Sequence, residues 1–85
     1  MEASEIEKIL NDALSLDEVH VTYDGSHGSV IAVSDIFDDM SRVKKQQYVM
    51  APLKELINQG IIHAITIKTF SKAQWQREKL LNMPS

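Results

Sequence analysis

The stretch 18-EVHVTYDGSHGSVIAV-33 decides the fold. Its first six residues alternate, with Val19, Val21 and Tyr23 on one face and His20 and Thr22 on the other, the period of a half-buried strand. Asp24-Gly25 is a strong turn signal, Gly28 relaxes the chain again, and the run SVIAV that follows is apolar and β-branched. This is a β-hairpin, with His27 held between two glycines near its tip. His27 lies just ahead of the second strand, where few side chains can cover it. His20, on the polar face of the first strand, reads as surface decoration.

Upstream, Ser4 followed by Glu7 makes a capping box, and Ile6, Ile9, Leu10, Ala13 and Leu14 form one apolar stripe, so a helix is expected from about Glu5 to Ser15. Downstream, Ser41 can cap a long helix with the broad stripe Val43, Val49, Met50, Leu53, Leu56 and Ile57, ended by Gly60 at a left-handed position. Pro52 lies inside it, which predicts either a kink between Tyr48 and Pro52 or two shorter helices. HAITIKTF reads as a third strand with Ile65 and Ile67 on one side, and Ser71 with Gln74 forms a capping box for a last helix through Trp75 to about Leu81. Trp75 reads as a helix-to-sheet packing residue, and Met40 and Met50 as core or its rim.

The order is αββαβα, or αββααβα if the proline divides the helix. It predicts an α+β fold, a three-stranded mixed sheet with helices on one face. A helical crossover that returns to pair with the second strand makes those two strands parallel and the connection right-handed. Both then begin at the same end of the sheet, so His27 and His63 should be neighbours although they are far apart in the chain.

Adjacent strands lie about 4.8 Å apart, close enough for two such imidazoles to share a metal. The alternative is that His27 is a solvated turn residue and His63 a polar residue filling the gap between Gly60 and the strand.

The 85 residues allow one domain, residues 1–85, with the last few positions expected to be disordered. The net charge of -3 and the pI of about 5.5 remove the overall attraction to nucleic acid or anionic lipid that a basic domain has. Without cysteine, no disulfide staples the fold and no thiolate of this chain can bind metal or act as a nucleophile. The opening MEASEIEKIL lacks the pattern of an export signal, and no apolar run approaches the roughly 20 residues that span a bilayer. The expectation is a cytoplasmic protein with no membrane partner.

Across almost its whole length the chain resembles the BolA-like family, and most closely its IbaG-type branch. The resemblance is carried by ALSLDEVHVTYDGSH, by FDDMSRVKKQQYV and by IHAITIK followed by FSKAQW. It implies a fold like the class II KH domain and an adaptor that associates with monothiol glutaredoxins in iron-sulfur handling, iron homeostasis and stress response. It further implies a [2Fe-2S] cluster shared with that partner and glutathione, with none expected in the isolated chain. His63 would be the ligand opening the third strand, and His27 the assisting ligand from the hairpin loop.

Partner thiolates would supply the thiolate ligands that this cysteine-free chain lacks. Histidine ligation raises a cluster's potential and makes it sensitive to pH, because a protonated imidazole cannot coordinate. A homodimer is the other association open to such a chain.

Two departures from the family stand out. Asp39 occupies a position where many members have Gly, and Lys44, Lys45, Gln46 and Gln47 replace a basic, histidine-containing run.

The competing reading is a DNA-binding stress regulator that grips phosphate, or an acidic partner, through Arg42, Lys44 and Lys45, with Lys68 or Lys72 nearby. These cations crowd a helix start, where the macrodipole favours acids. Asp35, Asp38 and Asp39 could neutralise them. GSHG matches the KH-type GxxG by letters alone, because it falls in a hairpin rather than between helices. No enzymatic role is expected: Asp24, Ser26 and His27 are packed into one tight turn and cannot converge on a reacting atom opposite an oxyanion site.

Overall fold

A computed structural model describes residues 2–82. The elements run α1 (Ala3–Ala13), β1 (Glu18–Tyr23), β2 (His27–Val33), α2 (Arg42–Met50), α3 (Lys54–Asn58), β3 (Ala64–Phe70) and α4 (Lys72–Asn82). Short 3-10 helices at Asp35–Asp39 and Ala51–Leu53 precede α2 and separate it from α3. Pro52 therefore divides the crossover helix: with no N–H to donate and a ring that crowds the preceding turn, it interrupts the α-helical ladder. The expected disorder of the last few positions falls on 83–85, which lie outside the described residues.

The sheet has the order β1-β2-β3, with β1 antiparallel and β3 parallel to β2. It is the mixed three-stranded sheet of the αββααβα reading. The central strand carries the core on both of its sides. Val30 and Ala32 pack with Ile6, Leu10, Phe37, Val49, Leu53, Ile62 and Ile67, while Ile31 and Val33 pack with Trp75 and Phe70. The expectation of helices on one face holds for α1, α2 and α3; Trp75 brings α4 against the other. Met40 and Met50 sit on the rim of the main core.

Local signals account for most element ends. Ser41 Oγ accepts the Lys44 N–H at 3.2 Å, capping α2. Ser71 Oγ accepts the Gln74 N–H at 3.2 Å while Gln74 Oε1 accepts the Ser71 N–H at 3.0 Å, a complete capping box. Gly60 ends α3 at φ 75, a left-handed conformation open to glycine at little cost.

Three expectations need correction. The Ser4–Glu7 box does not form, because α1 begins at Ala3 and the Glu2 carbonyl takes the Glu5 and Ile6 N–H groups at 3.0 and 3.3 Å. Ser4 is thus already inside the first turn. Val43 is 64% exposed; it precedes the buried Val49 by six residues, which sets it about 120° around the helix from the core stripe. Gln46, one turn before Val49, ties α2 to the sheet instead: its Nε2 donates to the Ile67 carbonyl of the edge strand β3 at 3.0 Å. Finally β2 begins at His27 itself, not after it.

Candidate functional site

In the parallel register His27 is opposite Ala64, so His63 stands immediately before β3 beside the start of β2. Backbone bonds fix this junction: the Ser26 carbonyl accepts the N–H groups of His63 at 3.0 Å and Ala64 at 3.3 Å. Both histidines are exposed. Two imidazoles from distant parts of the chain thus share one open end of the sheet.

The hairpin loop is ordered by Asp24. Its Oδ1 accepts the His27 N–H at 2.7 Å and the Ser26 N–H at 3.0 Å, and Gly25 completes the turn at φ 100. Those two backbone donors, His27 first and Ser26 second, favour the carboxylate and hold Asp24 below its ordinary acidity range. Asp24 Oδ2 also lies 3.8 Å from His27 Nδ1, with both side chains about two-thirds exposed. The Asp24 carboxylate is committed to shaping the turn. An open depression of about 370 Å³ adjoins it on the face away from the main core, lined by His27 and by Thr22, Ser29 and Thr66 in direct register across the three strands.

Tyr23 is a member of this site that sequence reasoning missed. Its hydroxyl donates toward two carbonyls, Gly25 at 2.9 Å and Ile61 at 2.8 Å, and so touches both histidine-bearing loops. A tyrosine at the last position of a strand running into a turn was the available signal.

Among the described residues, no group of three or more His, Cys, Asp or Glu side chains could hold a metal ion. Two exposed nitrogen donors on adjacent loops make an incomplete ligand set. Any metal they shared would need its remaining ligands from another molecule.

The basic residues form a separate feature. Arg42, Lys44 and Lys45 open the crossover beyond the exit end of β2, and β2's seven residues put that end about 20 Å from His27. Arg42 and Lys44 are exposed and Lys45 is half-buried. The expected neutralisation by the neighbouring acids is not what forms. Asp35 accepts the Lys72 N–H at 3.0 Å, and no ion pair links the three cations to Asp38 or Asp39 among the described residues. Lys72 is engaged with Asp17 at 3.7 Å. Asp39 takes its place in a 3-10 helix with negative φ, so this position makes no demand for glycine.

His20 is not surface decoration. Its ring stacks on Trp75 with centroids 5.3 Å apart. Its Nε2 is buried, 3.4 Å from Glu18 Oε1 without hydrogen-bond geometry. The face that alternation marks as polar is the one that α4 covers.

The model of the BolA-like protein family matches residues 5–74. This chain belongs to the BolA-like family. It is 56% identical over 82 residues to the acid stress protein IbaG of Escherichia coli K12, covering 96% of this chain and 98% of that one. Among solved BolA-like structures, the solution structure of BolA1 from Mus musculus matches with a TM-score of 0.80 and 25% identity, covering 98% of this chain and 75% of that one. BolA1 from Arabidopsis thaliana matches with a TM-score of 0.73 and 26% identity over 85% of this chain and 93% of that one. No helix among the described residues of this BolA-like chain is long and apolar enough to cross a membrane.

Proposed function

We propose that this BolA-like protein is a cytoplasmic adaptor that pairs with a monothiol glutaredoxin and coordinates or transfers a [2Fe-2S] cluster, with His63 as principal ligand and His27 assisting. The supporting observation is the parallel junction of β2 and β3, which brings two exposed imidazoles to one end of the sheet. The partner and glutathione supply the thiolates, and this chain supplies neutral nitrogen ligands. The bound cluster would contribute iron-sulfur redox or transfer chemistry. This chain's residues order the loops and present the imidazoles. The printed name of the Escherichia coli relative, acid stress protein IbaG, supports a stress-response setting for this reading.

Co-expression with a monothiol glutaredoxin should give a coloured complex whose visible absorption and circular dichroism differ from those of the glutaredoxin homodimer. His63→Ala should abolish the difference and His27→Ala should weaken it. An unchanged spectrum in the mixture, or a His63→Ala complex with the wild-type spectrum and cluster lifetime, would remove the basis of this reading.

The exposure of Arg42 and Lys44 supports a second reading, duplex DNA binding. A titration at two salt concentrations decides it. Binding near physiological salt that weakens when Arg42 and Lys44 are replaced supports DNA recognition; no binding there, or binding indifferent to the replacements, rejects it.

A further inference from the structure

The phenol of Tyr23 occupies an unusual position between the two histidine loops. Its two acceptors, the carbonyls of Gly25 and Ile61, each lie two residues ahead of a histidine, His27 and His63 respectively. The hydroxyl has one proton to share between them. Its ring is fixed independently: Tyr23 pairs with Gly28 in the hairpin register, packs at the edge of the main core, and lies where a Cβ on Gly28 would meet its Cδ1 at 3.8 Å. The hydroxyl is therefore presented from a rigid strand to two loops.

The Ser26 carbonyl already joins the loops once, through the amides of His63 and Ala64. Each loop is also tied on its own side, the hairpin by Asp24 Oδ1 on the Ser26 and His27 N–H groups and the turn before β3 by the Leu56 carbonyl on the Ile61 and Ile62 N–H groups. Tyr23 adds a second link between the two loops, at Gly25 and Ile61, and so couples the directions in which the two imidazoles leave the backbone.

We infer that Tyr23 is a positioning residue, a latch whose hydroxyl sets the mutual geometry of His27 and His63 and so the fit of the pair to a shared cluster. The inference rests on the adaptor reading above. Tyr23 does not itself touch the metal. Loss of a neutral hydrogen bond at such a junction shifts an equilibrium by about two- to tenfold, which sets the size of effect to look for.

The test is Tyr23→Phe, which keeps the ring and deletes only the hydroxyl. In the isolated chain, far-ultraviolet circular dichroism should be unchanged, while hydrogen exchange at the His27 and Ile62 amides should accelerate about two- to tenfold relative to strand amides such as Val30. In the complex with a monothiol glutaredoxin, glutathione and the [2Fe-2S] cluster, the visible circular dichroism should change. Cluster loss to a chelator should quicken by a similar factor.

Wild-type exchange, cluster spectrum and lifetime in Tyr23→Phe, alongside a damaging His63→Ala, would overturn the latch and leave the adaptor reading intact. A wild-type chain that forms no mixed cluster would overturn the adaptor reading and the inference with it. Should Tyr23→Phe not fold, the wild-type hydroxyl proton decides. A slowly exchanging proton with nuclear Overhauser contacts to both Gly25 and Ile61 supports the latch, and rapid exchange without those contacts overturns it.

Discussion

On one face of the sheet nine buried residues from helices, strands and connecting segments interlock, whereas on the other Trp75 closes over Ile31 and Val33 with Phe70 at its edge. The first face spreads its burial over many side chains of ordinary size. Among the described residues, the second concentrates it in one indole. The difference also decides where function can sit: α4 covers the Val33 end of the second face, and the His27 end, with its row of Thr22, Ser29 and Thr66, stays open. A strand buried on both sides thus carries a candidate ligand at its uncovered start.

The sharpest way to break this comparison is Trp75→Ala. It removes the side chain that holds α4 to the sheet, and by analogy with other buried aromatic truncations it should cost about 3–5 kcal/mol in urea unfolding. A domain this small has a total stability of only about 5–15 kcal/mol, so the variant should be close to unfolding at 37 °C. On the opposite face, Leu10→Ala removes one of nine interlocking residues and should cost about 2–4 kcal/mol. Equal losses from the two substitutions would show that the second face is as distributed as the first.

Ser71→Ala tests the capping box that starts α4 and should cost about 1 kcal/mol, with hydrogen exchange accelerated at Gln74 rather than across the sheet. Asp24 offers the mildest perturbation, confined to the open end. Its acidity is enhanced in the folded state, so the stabilisation it gives the loop is complete above its unfolded value, which is about 3.9 for an aspartate. That stabilisation is lost as pH falls through the lower folded value. The amide shifts of Ser26 and His27 should therefore move together below about pH 4. Asp24→Asn should flatten that titration, and movement persisting in the variant would assign it to another group.

Much of this was legible because the signals were local. The Asp24-Gly25 turn, the Ser71–Gln74 box, the stop at Gly60 and the break at Pro52 are each set by backbone chemistry within a few residues, and all four are observed. The neighbouring of His27 and His63 was legible for a different reason. It follows from chain topology, since a helical crossover after a hairpin returns the third strand parallel to the second.

What failed depended on phase or on distant partners. Val43 is apolar and close to the right spacing, but a helix turns by 100° per residue and a position out of phase faces solvent. Ser4 carries the letters of a cap, yet α1 begins before it. His20 sits on a polar face by alternation, and only the arrival of Trp75 from 55 residues away partly buries it there.

By itself, then, the sequence determined the hairpin, the divided crossover, the parallel third strand and the meeting of two histidines at one end of the sheet. Turn chemistry, helix breaking and strand connection act through bonds and sterics that short stretches contain. Tertiary structure alone decided that α4 crosses to the second face, that His20 is covered, and that the hydroxyl of Tyr23 reaches the carbonyl of Ile61. Those contacts depend on how whole elements stack, and the free energy of stacking belongs to pairs of distant residues that no local pattern records.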